Sequence, residues 1–281
     1  MTGDLRQDAE AAASRPKAVA YGRRPIARHS APNRAHARRM LDARGLDGLG
    51  MERIFNREAR EPRMATATLT ISSRNYSSWS LRGWLLCKFA GLAFETVSLP
   101  IDDAASRAEL LLLAPSFLIP CLTHGGAKVW DTLAIGEYLH ELKPKAGLLP
   151  KDRAARARCR AICGEMHSGF ANLRSALPMN LKTHHPKFKV WAGAQLDVDR
   201  IAAIWREQLE ASGGPFLFGE TVTMADAMYA PVCTRFATYD VALDKICAAY
   251  RGRVLALPEM VEWKKAALLE PDEVEELDVE F

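Results

Sequence analysis

The chain is predicted to fold as an α/β domain of order βαβ-α-ββ-α followed by an all-α helical bundle, behind a basic leader without fixed structure. Three observations carry this prediction. Strand-type runs are confined to the stretch between residues 68 and 130, where they alternate with helical periodicity. From about residue 151 onward almost no strand signal remains, and apolar residues recur at helical spacing between Pro- and Gly-bearing turns. Residues 1–63 are rich in Ala and Arg and poor in aromatics, so they bury too little surface to offset the entropy of ordering.

At 281 residues and 48% hydrophobic composition the chain can hold one large or two ordinary cores. No apolar run approaches the roughly 18 residues of a membrane span. The leader holds 14 Lys and Arg against 8 Asp and Glu, or +6, so the remaining 24 basic and 26 acidic residues carry −2 of the total of +4. The basic character therefore belongs to the leader. Three explanations compete for it: an organelle transit peptide, against which Asp4, Asp8 and Glu10 count; an arm for nucleic acid or acidic surfaces, with only Tyr21 and Phe55 as aromatics; and a translation start at Met64. The last is preferred. The six cysteines form no CxxC pair, which argues against a dithiol redox centre or a zinc ribbon. Cys159 and Cys163, one helical turn apart, are assigned a buried structural role, and a reducing cytoplasm fits the cysteine usage.

The domains follow as 66–146, 151–270 and an acidic tail over 271–281. Thr68–Ile71 reads as a strand and Ser72–Ser80 as a polar loop, with Ser80 as an ordinary helix cap. A helix from Leu81 carries Trp84, Leu85 and Phe89 on its apolar positions and stops at Gly91. Ala93–Leu99 is a second strand and Ser106–Leu113 a short helix. A hairpin follows, from Cys121–Thr123 through the turn His124-Gly125-Gly126 to Ala127–Trp130. Helix Thr132–Leu142 closes this half, and Lys143–Gly147 links it to helices over Arg153–Leu177, Asp197–Ala211, Met224–Thr238, Leu243–Tyr250 and Pro258–Leu269. Thr223-Met224-Ala225-Asp226 is a capping box, and Asp226 is read as structural rather than catalytic.

Two short motifs carry the chemistry. In Ser116-Phe117-Leu118-Ile119-Pro120-Cys121-Leu122 the proline stands at a strand entrance, where it donates no ladder hydrogen bond and must occupy an edge, a first position or a cis turn. Asp131-Thr132 then opens a helix. Short polar residues at a helix start, beside backbone left unpaired by proline, suit a small anionic peptide; an ordinary strand and cap would look the same.

Ile119-Pro120, Asp131-Thr132 and Thr223–Asp226, in that order on these elements, resemble the soluble glutathione S-transferases over about Thr68–Leu269. The resemblance implies a thioredoxin-like glutathione-binding domain, then the helical domain. It implies that Pro120 is cis, that the main chain of Ile119 pairs with the cysteinyl part of glutathione, and that Asp131 and Thr132 hold its γ-glutamyl end, the acid toward the ammonium and the hydroxyl toward the carboxylate. A free thiol has a pKa of about 8.5, and lowering it by two units takes roughly 2.7 kcal/mol of thiolate stabilisation. The loop Ser72–Ser80 should supply it. Asn75 falls where the family's activating Ser or Cys sits and Tyr76 where Pro is common, a departure from the pattern. Ser77 matches a cysteine position of zeta-like members, and Ser78 follows it. The candidates Asn75, Tyr76, Ser77 and Ser78 remain open among themselves.

Arg82 is read as a structural or domain-interface residue, and Trp79 and Trp84 as packing groups. Arg174, Pro178, Met179, Asn180 and Trp191 are candidates for the electrophile's pocket. His167, His184 and His185 lack a third ligand at metal-binding spacing. The expectation is a cytoplasmic, homodimeric glutathione transferase of detoxifying type. It uses glutathione as co-substrate, attacks a small electrophile, and has neither metal, nucleic acid nor membrane as a partner. A glutathione-dependent isomerase of the maleylacetoacetate type is the rival within the enzymes, although the loop lacks that branch's Ser-Ser-Cys run; a non-catalytic glutathione-binding module is the rival outside them.

Overall fold

The computed structural model of the protein describes residues 67–99 and 119–270, all within one compact unit. The leader, the helix expected over Ser106–Leu113 and the acidic tail lie outside the described residues.

The first half is a four-stranded mixed sheet of order β2-β1-β3-β4, formed by β1 (Ala67–Ile71), β2 (Phe94–Ser98), β3 (Cys121–His124) and β4 (Ala127–Val129). β1 pairs in parallel with β2 and antiparallel with β3, in the register Leu69↔Leu122 and Thr70↔Cys121. The hairpin turns on two residues, Gly125 and Gly126, at φ 57° and 84°. Left-handed φ at both positions suits the twist of the flanking strands and is nearly free of strain only for glycine. Helix α1 (Ser78–Phe89) and helix α2 (Thr132–Leu142) cover the sheet. Leu69, Ile71 and Leu122 from the sheet, Leu81 and Leu85 from α1, and Ile135 and Leu139 from α2 are all fully buried. Gly91, at φ 63°, ends the first helical segment as its position predicts.

The second half is all helical: α3 (Arg153–Ser168), α4 (Ala171–Ala176), α5 (Ala192–Ser212), α6 (Met224–Thr238), α7 (Lys245–Leu255) and α8 (Pro258–Ala267). α6 is buried along almost its whole length and packs on α1. A helix enclosed on all sides shows no apolar stripe, because every face is a core face. One hydrophobic cluster runs from the sheet through α1 and α6 to Trp263 in α8. The capping box forms as predicted: Asp226 Oδ2 accepts from Thr223 N at 2.7 Å and Thr223 Oγ1 at 2.9 Å. Its Oδ1 accepts from Leu217 N at 3.1 Å and Tyr250 Oη at 3.0 Å. Asp226 is fully buried, and it ties the turn before α6 and helix α7 to the start of α6.

The helix expected over Arg153–Leu177 is two helices. The chain breaks at Gly169 and at Phe170, which stands at φ 60°. Apolar periodicity on both sides hides the break; Arg174 stabilises it by donating to the carbonyls of Met166 and His167 that α3 leaves open and to that of Gly169 at the break itself. Asp197 in α5 accepts from Leu173 N at 2.9 Å and satisfies an open amide of α4. α5 begins five residues before the expected Asp197, and α7 continues past Tyr250 to Leu255, since an interior glycine such as Gly252 weakens a helix without ending it.

Candidate functional site

Strand direction gathers the predicted residues at one end of the sheet. Thr70, near the end of β1, pairs with Cys121 at the start of β3, and Leu122 pairs with Val129 at the end of β4. The loop after β1, the Ile119-Pro120 segment before β3 and Asp131-Thr132 after β4 therefore share that end. The peptide bonds Ile119–Pro120 and Trp130–Asp131 are cis. Pro120 is buried and Ile119 half-buried. α1 lies directly on the proline: a Cβ at Gly83 would stand 2.5 Å from Pro120 Cγ, so only glycine admits this approach. With about 1.5 Å of rise per residue, the start of α1 at Ser78 is roughly 7.5 Å along the axis from that contact.

The helix starts earlier than the sequence predicts. Ser77, not Ser80, is its cap, accepting from Ser80 N at 3.2 Å. Acting there as acceptor, the Ser77 hydroxyl keeps its proton to donate elsewhere. Ser80 is inside the helix, where its Oγ accepts from Ser72 N at 3.1 Å and binds the end of β1 to α1. Ser78, at the first helical position, is 6% exposed, and its hydroxyl makes no hydrogen bond to another described residue. Tyr76 is half-buried, its N–H directed to Ser73 Oγ at 3.2 Å. Asn75 is turned inward: it is 2% exposed, and its amide oxygen accepts from Leu181 N at 2.7 Å. That bond joins the loop to the helical half.

Two further groups hold the loop. Glu270 accepts from Ser73 Oγ and Arg74 N, both at 2.7 Å, and from Asn75 N at 3.1 Å. Trp263 Nε1 donates to Arg74 O at 2.9 Å. None of Leu181, Trp263 or Glu270 is near the loop in sequence. No local motif marks these residues, and long-range placement alone reveals them.

At the other helix start Asp131 caps α2, its Oδ1 accepting from Leu133 N at 2.9 Å and Ala134 N at 3.1 Å. Its other oxygen is 3.6 Å from His167 Nε2. Thr132 is fully buried, and its hydroxyl has no partner among the described residues. Beside them the Trp79 ring meets His167 edge-on, with centroids 5.0 Å apart, and lies under the guanidinium of Arg82 at 4.6 Å and that of Arg174 at 4.8 Å. Arg82 is fully buried, and its Nε donates to Met228 O at 2.8 Å, so it joins α1 to α6 as a structural arginine. Burial, then the nearby Arg174 and Arg235, holds its pKa well below the arginine range.

Among the residues expected from the sequence at the electrophile's pocket, Met179 and Asn180 are buried and Asn180 O accepts from Thr238 Oγ1 at 3.2 Å; Arg174 is engaged at the end of α3. Trp191 stands 51% exposed at the start of α5. A largely apolar groove of about 470 Å³ adjoins Leu181 and Trp263, with Thr234, Thr238, Met260 and Leu268 among its walls. All six cysteines are free and buried, and burial pushes the thiols of Cys87 and Cys247 up to about 12. Among the described residues no group of His, Cys, Asp and Glu is arranged to hold a metal ion, and no helix is long and apolar enough to cross a membrane.

A mixed four-stranded sheet entered through a cis-proline, with a helical half packed on its first helix, defines a thioredoxin-fold protein with a helical C-terminal domain. Residues 76–142 match the family model of the glutathione S-transferase N-terminal domain, and residues 188–259 that of the C-terminal domain. The chain is 31% identical over 160 residues to a probable maleylacetoacetate isomerase of Caenorhabditis elegans, covering 57% of this chain and 73% of that one. It is 30% identical over 161 residues to the maleylacetoacetate isomerase of Rattus norvegicus, covering 56% and 72%. Among solved structures, a glutathione transferase homologue from Burkholderia with bound glutathione superposes with a TM-score of 0.56 at 22% identity, covering 72% of this chain and 98% of that one. The protein belongs to the glutathione S-transferase family.

Proposed function

We propose that the protein is a glutathione transferase that binds glutathione along the Ile119-Pro120 segment and stabilises its thiolate at the start of α1, for attack on a small electrophile. One observation carries this reading: the Ser77 and Ser78 hydroxyls and the open amides of α1 share an end of the sheet with a cis-proline and an acid-capped helix. In this reading the Ile119 main chain pairs with the peptide, and the N-terminus of α2 with Asp131 and Thr132 receives the γ-glutamyl end. Ser78 is the first choice as thiol donor, because no described group competes for its hydroxyl. Ser77 is the second. Asn75, with its oxygen engaged by Leu181, acts mainly by holding the loop, and Tyr76 borders the site.

A hydrogen bond to a charged partner contributes about 1.5–3 kcal/mol. Loss of the Ser78 hydroxyl should therefore lower kcat/KM for conjugation of an aryl halide by roughly tenfold to a hundredfold and move the thiol pKa of bound glutathione up by one to two units. Thiolate absorbance as a function of pH measures this directly. An unchanged thiol pKa in both Ser78→Ala and Ser77→Ala would refute the assignment of the donors. Glutathione bound with no thiolate signal in the native protein would favour a non-catalytic binding module.

The names of the relatives favour a second reading, glutathione-dependent isomerisation. Both reactions begin with thiolate addition to an electrophilic carbon. They differ in whether glutathione is released again, so its consumption during turnover separates them: stoichiometric loss supports the transferase, and constancy during conversion of a cis-enone diacid supports the isomerase.

A further inference from the structure

We propose that Glu270, beyond the end of α8, is a positioning residue for the thiol-activating loop: its carboxylate holds Ser73, Arg74 and Asn75 and thereby sets where the Ser77 and Ser78 hydroxyls point. This rests on the reading that this loop activates glutathione. Three donors converge on the one carboxylate, Arg74 N on Oε1 at 2.7 Å and Ser73 Oγ and Asn75 N on Oε2 at 2.7 and 3.1 Å. An ionised carboxylate is a pure acceptor and meets all three, whereas an amide in its place would turn an NH₂ toward N–H or O–H groups. The anchor is itself anchored: Glu270 N donates to Ala267 O at 3.1 Å in the last turn of α8, and Lys182 Nζ donates to Glu270 O at 2.6 Å.

The same helix takes the other side of the loop. Trp263 donates to Arg74 O at 2.9 Å, and the Arg74 guanidinium lies 5.6 Å from the Trp263 ring centroid. The N–H of Arg74 is thus held by the residue after α8 and its C=O by a residue within α8. Ser73 Oγ, donating to Glu270, also accepts from Asn75 N at 3.0 Å and Tyr76 N at 3.2 Å, and Ser77 N donates to Ser73 O at 3.2 Å. A shift of Ser73 passes directly to the residue that caps α1. A polar loop with few internal contacts opens easily unless something outside it supplies partners. Here the end of the helical half does so.

Positioning and simple charge predict opposite results. A negative charge near a developing thiolate raises the thiol pKa, so its removal by itself would lower that pKa. A misplaced donor raises it. Glu270→Asp keeps the charge and retracts the carboxylate by one methylene; Glu270→Gln keeps the shape and removes the charge. If Glu270 positions the loop, both variants raise the thiol pKa of bound glutathione, and both lower kcat/KM at neutral pH by about tenfold to a hundredfold, with the rate recovering on the alkaline side. A lower thiol pKa in Glu270→Gln with none of these changes in Glu270→Asp would overturn the proposal in favour of charge alone. Hydrogen exchange without glutathione gives a separate test. The amides of Arg74 and Asn75 should exchange at least about tenfold faster in both variants, while those of α6 keep their protection. Unchanged exchange overturns the proposal. Should the native protein bind no glutathione, the functional reading fails, and faster exchange still establishes Glu270 as the anchor of the loop.

Discussion

Gly83→Ala sets two effects of known sign against each other. In an open helix position the substitution removes glycine's entropy and stabilises by about 1 kcal/mol. At Gly83 the new Cβ would stand 2.5 Å from Pro120 Cγ and 2.7 Å from Pro120 Cβ, with Ile135 Cδ1 at 3.9 Å behind. Carbon atoms pack at roughly 3.5–4.0 Å, so α1 and Pro120 must separate by about 1 Å. The struck atoms belong to a rigid ring, not to the far end of a flexible chain. Overpacking of this kind costs about 1–3 kcal/mol, which outweighs the helix gain by up to about 2 kcal/mol. The larger effect falls on binding, since Pro120 lies beside the Ile119 backbone on which glutathione is proposed to pair, and a shift of about 1 Å stretches a hydrogen bond of about 2.9 Å beyond its working range. Urea denaturation should show a lowered midpoint, and calorimetry a loss of glutathione affinity out of proportion to it. Gly252→Ala in α7, where a Cβ meets nothing within 4 Å, is the matched control and should be more stable by about 1 kcal/mol. If Gly83→Ala behaves like Gly252→Ala in both measurements, the close approach of α1 to Pro120 is not what places this segment.

Removing the carboxylate in Asp226→Ala leaves four donors unpaired and should destabilise by about 3–5 kcal/mol, as measured by denaturant unfolding. Burial raises the Asp226 pKa against the pull of its hydrogen bonds, so the folded state binds this proton more tightly than the unfolded one. The contribution of Asp226 to stability is therefore full below the unfolded carboxyl pKa, about 3.9, and declines as pH rises through the higher folded value. Asp226→Asn should lose that slope, and identical pH dependence in the two proteins would show that the group does not titrate as described. Ser77→Ala should cost about 1 kcal/mol as a lost cap and Ser77→Gly only a few tenths, so a drop in activity shared equally by both reports the hydroxyl rather than the helix. The thiols should resist a mild alkylating reagent in the native protein and react on unfolding, because Cys87 and Cys247 are held at about 12 by burial. Rapid modification of the native chain would contradict that enclosure.

Local signals read the fold well where the interaction is itself local. The boundaries Thr132–Leu142 and Met224–Thr238 are visible because Asp131 and Thr223 cap helices within three residues of themselves, and the hairpin is visible in Gly125-Gly126. The break at Gly169-Phe170 is not, since the groups that stabilise it are the Arg174 guanidinium and the Asp197 carboxylate, arriving from the next helices. The start of α1 was displaced for a related reason. Ser77, Ser78 and Ser80 are equivalent as cap residues in a linear reading, and the bond from Ser72 N to Ser80 Oγ, which pulls Ser80 inside, needs β1 and α1 already docked.

The sequence by itself determined the class of this protein: strand and helix order and the helix starts at Asp131 and Thr223 follow from hydrogen bonds spanning a few residues, while the covalent limits of proline narrowed Pro120 to an edge, a first position or a cis turn, and the family resemblance chose the last. Tertiary structure alone decided how the loop at Asn75–Ser78 is held. Asn75 faces Leu181, Arg74 is fixed by Trp263, and Glu270 gathers three donors from nearly 200 residues away in the chain. A carboxylate finds such partners only after the helical half has packed on α1, because no pattern in the sequence records which distant donors will lie within about 3 Å of it.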